Sequence, residues 1–140
     1  SSWGVDNVQN FNNTFMNAFA FNQSVESWNM SNATDLGNMF SGASAFDQPL
    51  NTWDVRKVTN FTGMFKEAVL FNKPLDQWVL QDINVDNTSE SGLSFMFNNA
   101  AQFNQDLTGW CVNSFTSEPN NFSSGSGLDP ANLPVWGTCP

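Results

Sequence analysis

Large apolar residues return at a fixed interval along this chain. Four tryptophans, Trp3, Trp28, Trp53 and Trp78, follow one another at a spacing of 25 residues, and Trp110 comes after a further 32. Self-similarity at a fixed period of roughly 20 to 50 residues is typical of solenoids, in which each coil buries its apolar face against its neighbours. The pattern therefore predicts a solenoid of stacked coils.

Within each coil the apolar period changes from 2 to 3.6. In the third copy, Trp53 and Val55 would lie on one face of a short strand, with Asp54 on the other. Residues at i, i+3, i+4 and i+7 then indicate one face of about two helical turns. These residues are Phe61, Met64, Phe65 and Ala68. We therefore predict an α/β repeat solenoid with one short parallel strand and one short helix in each coil.

Polar residues mark two corners of the coil. Directly before the helical faces stand Asn10, Asp35 and Asn60, which are preferred N-cap residues. After each helical face, a phenylalanine precedes an Asn or Asp, and this second column is Asn22, Asp47, Asn72 and Asn104. We expect its side chains to bond backbone groups of their own turn or of the next coil. A carbohydrate or ion ladder is the alternative role.

The repeat predicts a division of the chain into a repeat region, 1–110, and a terminal coil with a capping tail, 110–140. Four coils cover 3–27, 28–52, 53–77 and 78–109, and the last of them contains an insertion at 81–92. Three acidic residues of the insertion, Asp82, Asp86 and Glu90, offer oxygen ligands of the kind that calcium prefers. Their spacing matches no calcium-loop signature, so a solvated acidic loop is the simpler interpretation.

The recurring residues resemble a known family. From Leu50 to Phe61 the apolar spacing is similar to the strand segment of a leucine-rich repeat, with tryptophan as the second large residue. Tryptophan, "MF", "FN/DQPL" and "WDV" recur together, which resembles the BspA-type leucine-rich-repeat surface proteins over residues 3–110 and into the closing segment. The resemblance implies a leucine-rich-repeat-like fold, a secreted or surface location and adhesive or structural roles. It supplies no catalytic residues.

The chain has two cysteines, Cys111 beside the last repeated tryptophan and Cys139 in the tail. A disulfide between them would fold the tail over the last coil, as the ends of solenoids require. Closing such a loop contributes about 3–4 kcal/mol in the chain-entropy account. Free thiols or a metal pair are the alternatives. The disulfide would give a closed C-terminal cap and would place the protein in an oxidising compartment.

The net charge and the absence of common catalytic residues and motifs restrict the classes of function that the chain could have. Thirteen acidic and four basic residues give a net charge of −9, which argues against nucleic acid and anionic membranes as partners. No apolar run is long enough to insert into a bilayer. The chain has no histidine, and no nucleophile motif or nucleotide-binding fingerprint appears. Catalysis by two carboxylates remains compatible with the composition, but no carboxylate column repeats. We therefore predict a protein that is not an enzyme and holds no cofactor.

Seven Asn-x-Ser/Thr sequons occur, which is more than the composition alone would give. They begin at Asn12, Asn22, Asn29, Asn32, Asn60, Asn87 and Asn121. Asn87 in the insertion and Asn12 on the outer side of its helical turn are the best candidates for glycosylation. Asn22 and Asn60 also have the structural roles proposed above, which a glycan would disturb.

These features predict an extracellular structural or adhesive protein, secreted or on the cell surface. The chain opens inside the repeat, as a processed form or a fragment would. Its first coil would expose Phe11, Phe15 and strand edges, and such edges recruit other chains. We expect self-association, head-to-tail into a surface fibre, or binding to other extracellular surface proteins. The alternative is a recognition module that binds a peptide or glycan on its sheet face. The outward positions, Gly4, Asn29, Asp54, Val79 and Cys111, share no chemistry.

Overall fold

A computed structural model describes residues 3–85 and 91–140. In these residues it contains one 3₁₀ helix, Pro130–Asn132, and two isolated parallel bridges, Asn10–Asp35 and Asp35–Asn60. Neither an α-helix nor a β-strand occurs in this part of the chain. The expected α/β solenoid, with one strand and one helix in each coil, is therefore wrong. Consecutive turns build each repeat unit instead, and hydrogen bonds join each unit to the next.

The segment that was expected to be helical is a series of tight turns. The N–H of Met64 donates to the carbonyl oxygen of Phe61, and that of Ala68 donates to Phe65. These bonds span three residues, whereas an α-helix spans four. Alternate N–H groups donate to carbonyl oxygens of the next unit. That of Phe65, for example, donates to the carbonyl oxygen of Met96 at 2.9 Å. The predicted inward residues are buried, because this path and a helix point the same side chains into the core.

Two positions in each unit have a left-handed backbone, which a helix does not tolerate. Their φ angles lie between 52° and 75°. The pairs are Asn13 and Asn17, Asn38 and Gly42, Gly63 and Glu67, Phe95 and Asn99, and Asn121 and Gly125. Glycine adopts this conformation freely and asparagine adopts it more readily than most residues, whereas an ordinary L-residue loses about 1–2 kcal/mol. Three of these five pairs have Asn or Gly at both positions and the other two have one, so Asn or Gly at a spacing of four is a partial sequence signal that distinguishes these turns from a helix.

The expected strand is replaced by a short link between two turns. Trp53 and Val55 are buried and Asp54 is half-buried, so the alternation itself was predicted correctly. A turn closes on each side, since the N–H of Trp53 donates to Leu50 and that of Val58 donates to Val55. Among the described residues, no backbone hydrogen bond joins 53–55 to a neighbouring unit. A period of two over three residues is too short to distinguish a strand from such a link.

The core is a double column of stacked phenylalanine rings. The first column is Phe15, Phe40, Phe65 and Phe97, with neighbouring ring centroids 5.5–5.8 Å apart. The second column is Phe21, Phe46, Phe71 and Phe103, with centroids 5.7–5.9 Å apart. Within each unit the two rings stack at 4.0–4.2 Å. Because the columns run through all four units, aromatic packing holds each unit against its neighbours.

Three tryptophans each bond back to the residue three positions before the preceding tryptophan of the repeat. The indole Nε1–H of Trp53 donates to the carbonyl oxygen of Val25 at 3.0 Å, and that of Trp78 donates to Leu50 at 2.8 Å. Trp110 makes the same bond, to the carbonyl oxygen of Leu75. The tryptophans of the inner units are therefore core residues, as predicted, and their one polar group is satisfied across the interface.

The Asn/Asp column forms a second ladder between units. The side-chain Oδ1 of Asn22 accepts from the backbone N–H of Asp47. In the same way, the Oδ1 of Asp47 accepts from the N–H of Asn72 and the Oδ1 of Asn72 accepts from the N–H of Asn104, at 2.9–3.0 Å. A last step joins Asn104 to the N–H of Asp129 at 2.8 Å. These bonds confirm that the side chains serve the backbone of the next unit.

Backbone hydrogen bonds between units show where the fourth unit departs from the repeat. The N–H of Thr59 donates to the carbonyl oxygen of Thr34, and the N–H of Asn84 donates to Thr59 in the same way. The N–H of Gly92 then donates to the carbonyl oxygen of Asn84 at 2.8 Å. The repeat thus continues as far as Asn84 and resumes at Gly92.

Within the tail, residues 120–124 form a further partial unit of the stack. The N–H groups of Phe95, Phe97 and Asn99 donate to carbonyl oxygens of the tail, those of Asn120, Phe122 and Ser124. Phe122 is fully buried and meets Phe97 edge-on, with centroids 5.3 Å apart. The tail therefore covers the fourth unit with the same backbone ladder that joins the inner units.

Candidate functional site

The two ends of the stack differ in how completely they are covered. Trp3 in the first unit is 59% exposed, whereas its counterpart Trp53 is 4% exposed. Trp28 and Phe21 are half-buried. A recess of about 390 Å³ lies here, lined by Trp3, Phe15, Phe21, Val25 and Trp28 and by the polar residues Gln23 and Ser24. We call this recess and the backbone groups beside it the leading face.

The prediction that Phe11 and Phe15 would be exposed at this end is wrong. They are 3% and 8% exposed. The ring of Trp28 lies 6.0 Å from that of Phe11 and 5.8 Å from that of Phe15, and Phe21 stacks on Phe15 at 4.0 Å. The second unit's tryptophan therefore shields the first unit's phenylalanines, and the tryptophans carry the exposed apolar surface.

The leading face also presents unpaired backbone groups. In the second unit, four carbonyl oxygens accept from the preceding unit, those of Asp35, Gly37, Met39 and Ser41. Their first-unit counterparts are Asn10, Asn12, Thr14 and Met16. Within residues 3–85 and 91–140, no hydrogen bond reaches these four carbonyl oxygens, and the N–H of Asn22 and the indole N–H of Trp28 have no acceptor. The face thus combines apolar surface with one half of an inter-unit ladder.

The opposite end, which we call the trailing end, is closed by the tail. The predicted disulfide between Cys111 and Cys139 is present. Next to it, the N–H of Val112 donates to the carbonyl oxygen of Thr138 at 2.9 Å. The tail thus returns beside the last unit, and the disulfide holds it there.

A carboxylate ends the backbone ladder at the trailing end. Ser123 occupies the position at which Phe97, one unit earlier, donates to the next unit. Its N–H donates instead to a carboxylate oxygen of Glu118 at 3.2 Å. The ring of Trp136 covers Phe122 edge-on, with centroids 5.1 Å apart. One ladder donor and the apolar surface of this end are therefore already engaged.

A second recess lies on the outward side of the third unit. It has a volume of about 310 Å³, and Trp53, Asp54, Arg56 and Val79 are among its lining residues. The guanidinium of Arg56 donates twice to the carboxylate of Asp54, at 2.8 and 2.7 Å. The hydrogen bonds from Arg56 lower the pKa of Asp54 to about 2. Because the pair is satisfied internally, this recess offers little unused charge to a ligand.

Other carboxylates are also held in the ionised form. Hydrogen bonds from Asn51 and Gln77 lower the pKa of Asp76, and hydrogen bonds from Thr108 lower that of Asp106. A general acid at neutral pH needs a raised pKa. These carboxylates are shifted in the opposite direction, so they are suited to holding turns.

The calcium interpretation rested on Asp82, Asp86 and Glu90. Asp82 is exposed, while Asp86 and Glu90 lie outside the described residues. In the part of the chain that the structure describes, no three or more His, Cys, Asp or Glu side chains come together to hold a metal ion. Likewise, no helix in the described ranges is long and apolar enough to span a membrane.

The sequons differ in how freely their asparagines could carry a glycan. Asn87 lies outside the described residues. Among the others, Asn12, Asn22, Asn29 and Asn121 are exposed, and Asn32 and Asn60 are half-buried. The Nδ2 of Asn60 donates to Asp35 at 3.0 Å, a bond that a glycan on this nitrogen would disturb. Glycosylation stays a prediction.

Comparison with known proteins identifies a family. The family model described as "Mycoplasma protein of unknown function, DUF285" matches residues 1–90 and 81–136, so the chain belongs to this family. No curated protein and no solved structure matches the chain significantly. Since this is not a leucine-rich-repeat family, the resemblance to BspA-type leucine-rich-repeat proteins is wrong. The shared spacing reflects which residues point inward, and turns produce that spacing as readily as strands and helices do.

Proposed function

We propose that this member of the DUF285 family is a non-enzymatic structural or adhesive protein that works outside the cell. The observation that carries the proposal is the Cys111–Cys139 disulfide, which closes the trailing end.

The polar chemistry of the described residues supports a structural role. The Asn/Asp column bonds the backbone of the next unit at every step from Asn22 to Asp129. In the described ranges, each carboxylate with a shifted pKa is shifted downward by hydrogen bonds. These groups stabilise turns and interfaces, and their lowered pKa values do not suit general-acid chemistry.

The disulfide supports an extracellular location. Disulfides form and persist in oxidising environments and are rare in the cytosol. Cys111 is half-buried and Cys139 is exposed. A reducing environment would therefore reach this bond.

A fibre of identical chains joined head to tail is the less favoured form of this function. A head-to-tail contact needs an open ladder at the trailing end. There the N–H of Ser123 is bound to Glu118, and Trp136 covers Phe122. The recess beside Arg56 is less suited to recognition, because Asp54 already occupies the guanidinium.

Localisation and thiol state in the source cells test the proposal. Intact cells are treated with an impermeant biotinylating reagent, and the native chain is then alkylated without reduction and weighed intact. We expect labelled chain on the cell surface or in the medium, with neither Cys111 nor Cys139 alkylated. A chain found only inside the cells with two alkylated thiols would contradict the proposed function.

A further inference from the structure

We infer that two copies of this chain associate side by side through an exposed ridge, with their stacks running in opposite directions. The ridge lies where each unit turns between its two stacked phenylalanines. We call it the lateral ridge, and it consists of two neighbouring positions in each of four units: Phe19 and Ala20, Ser44 and Ala45, Val69 and Leu70, and Ala101 and Gln102. This contact goes beyond the proposed function, which assigns no partner to the ridge.

The lateral ridge faces solvent inside the stack as well as in the first unit. Val69 and Leu70 are 40% and 52% exposed, although the third unit has neighbours on both sides. Phe19, which holds the position of Val69 in the first unit, is 66% exposed. The N–H groups of Val69 and Leu70 and the carbonyl oxygens of Ser44 and Ala45 have no hydrogen-bond partner among the described residues. The exposure of Val69 and Leu70 is therefore a property of the stack itself, whatever lies next to the first unit.

The lateral ridge is complementary to itself in size when one stack is reversed. A twofold axis between the second and third units places the first unit opposite the fourth and the second opposite the third. Because the ring centroids of the second phenylalanine column step by 5.7–5.9 Å, all four units come into register together. Each ridge position then pairs a larger residue with a smaller one of the partner. The pairs are Val69 with Ser44, Leu70 with Ala45, Phe19 with Ala101, and Gln102 with Ala20.

A parallel arrangement lacks this complementarity. Two parallel stacks in register would oppose Phe19 to Phe19 and Leu70 to Leu70, and would leave a gap where Ala45 meets Ala45. Protein interfaces are packed about as densely as protein interiors, so collisions and gaps of this kind weaken them. The sizes of the ridge residues therefore favour the reversed arrangement.

The charges beside the lateral ridge also suit the reversed arrangement. The chain has a net charge of −9, so two copies repel each other unless their close contacts avoid like charges. On one side of the ridge, Glu67 would face the partner's Gly42, which has no side chain. On the other side, Lys73 would face the partner's Gln48, next to the partner's Asp47. Within the chain Lys73 and Asp47 already lie 3.6 Å apart, and the twofold axis would bring a second cation and a second carboxylate to this pair.

The size of the lateral ridge sets the strength that we expect. Four units at steps of 5.7–5.9 Å make a short and narrow patch. Small interfaces of this kind belong to weak and transient complexes. The dimer should therefore form at high protein concentration, or where many copies are held on one surface, because tethering raises their effective concentration.

Sedimentation equilibrium of the full chain at concentrations up to about 1 mM measures the association. We expect a monomer–dimer equilibrium that the double substitution Val69→Ser with Leu70→Gln weakens by about 10-fold or more. Ser44 and Gln102 occupy these two positions in other units, so the fold accepts both side chains. The control is Val79→Ser, which changes an exposed valine outside the ridge and should leave the dissociation constant unchanged. An equal effect of the two variants would overturn the inference.

The substitution Ala45→Leu separates a fitted contact from general hydrophobic adhesion. Leu70 occupies the same position in the third unit, so the fold accepts leucine there. The added apolar surface would strengthen an unspecific contact. In the reversed arrangement the new leucine would collide with the partner's Leu70 and should weaken the dimer by about 10-fold. A dimer strengthened by Ala45→Leu would overturn the proposed pairing.

The arrangement itself is tested by NMR on a mixture of labelled and unlabelled chains, which isolates contacts between copies. We expect nuclear Overhauser effects between the methyl groups of Leu70 and the partner's Ala45. Effects between Leu70 and the partner's Leu70 would show parallel stacks, and effects confined to Trp3 and Trp28 would show contact through the ends. Either result would overturn the inference.

Two further outcomes concern the choice of partner. A chain that stays monomeric at about 1 mM would overturn the inference. If the signals of Val69 and Leu70 in such a monomer broadened on phosphatidylcholine vesicles, the occupant of the ridge would be a lipid surface instead of a second copy. The localisation experiment is independent of these results, so a surface-located monomer would lose the dimer and keep the proposed function.

Discussion

Replacing Glu67 with glycine should change the free energy of unfolding in opposite directions in the turn structure and in a helix. Glu67 has a φ of 59° and an exposed side chain, and its N–H donates to the carbonyl oxygen of Asn98 at 2.8 Å. A left-handed L-residue other than Asn or Asp loses about 1–2 kcal/mol, which glycine recovers. Glycine also makes the unfolded chain more flexible, which offsets about 0.4–1 kcal/mol of this gain.

The expected net result of Glu67→Gly is a gain of about 0.5–1 kcal/mol in the free energy of unfolding. For a chain of this size, such a gain raises the thermal midpoint by roughly 2–4 °C. In a helix the same substitution would lower the free energy of unfolding by about 0.5–1 kcal/mol. The substitution retains the backbone hydrogen bond to Asn98, so the change in the free energy of unfolding reports the backbone conformation. Urea and thermal denaturation measure this change.

The matched control is Ser41→Gly, one residue before the left-handed Gly42 and in the turns of the second unit. Ser41 is not among the left-handed residues, so glycine gains nothing there and should reduce stability by about 0.5–1 kcal/mol. The reasoning is refuted if Glu67→Gly destabilises the protein as much as Ser41→Gly does.

Three further perturbations follow from the interfaces. Trp78→Phe removes the hydrogen bond to Leu50 and leaves a buried gap, so it should lower the free energy of unfolding in urea by about 2–3 kcal/mol. The indole of Trp28 has no acceptor among the described residues, so Trp28→Phe should lower it by less than about 1 kcal/mol. Replacing both Cys111 and Cys139 with serine should lower the free energy of unfolding by about 3–4 kcal/mol. Amide exchange should then increase in the tail at milder conditions than in the first unit, and a uniform increase would contradict the role of the tail as a cap. Because Arg56 lowers the pKa of Asp54 to about 2 from 3.8, the pair stabilises the fold above about pH 4, and this contribution is lost as the pH falls from about 4 to 2. The thermal midpoint of the native protein should therefore fall slightly more over this range than that of Asp54→Asn, because solvent screens so exposed a pair. Identical pH profiles would show that the pair contributes nothing.

Side-chain direction was predictable from the sequence, and backbone conformation was not. Met64 and Phe65 are buried as their spacing indicated, because hydrophobic periodicity reports only which way residues point. The spacing i, i+3, i+4, i+7 fits a helix and also a series of three-residue turns. The evidence against a helix was local: Asn38 and Gly42, four residues apart, both favour a left-handed backbone.

Long-range contacts were predictable only where chemistry restricts the partner. The Cys111–Cys139 disulfide and the bonding of Asn22 to the next unit were of this kind. The leading face was not, because Trp28 belongs to the second unit and yet covers Phe15 of the first. The sequence predicted a terminal coil with a capping tail, 110–140, but did not identify the partial unit within it, because only Asn121, Phe122 and Gly125 resemble the repeat.

The most direct test of the turn-built stack is the acceptor of the Phe40 amide. In the structure this N–H donates to the carbonyl oxygen of Met64, in the next unit, at 2.9 Å. An α-helix would direct it to Leu36, four residues earlier. Scalar coupling across the hydrogen bond, measured by NMR between the amide nitrogen and the carbonyl carbon, identifies the acceptor. The structure requires a coupling from Phe40 to Met64, and a coupling from Phe40 to Leu36 would contradict it.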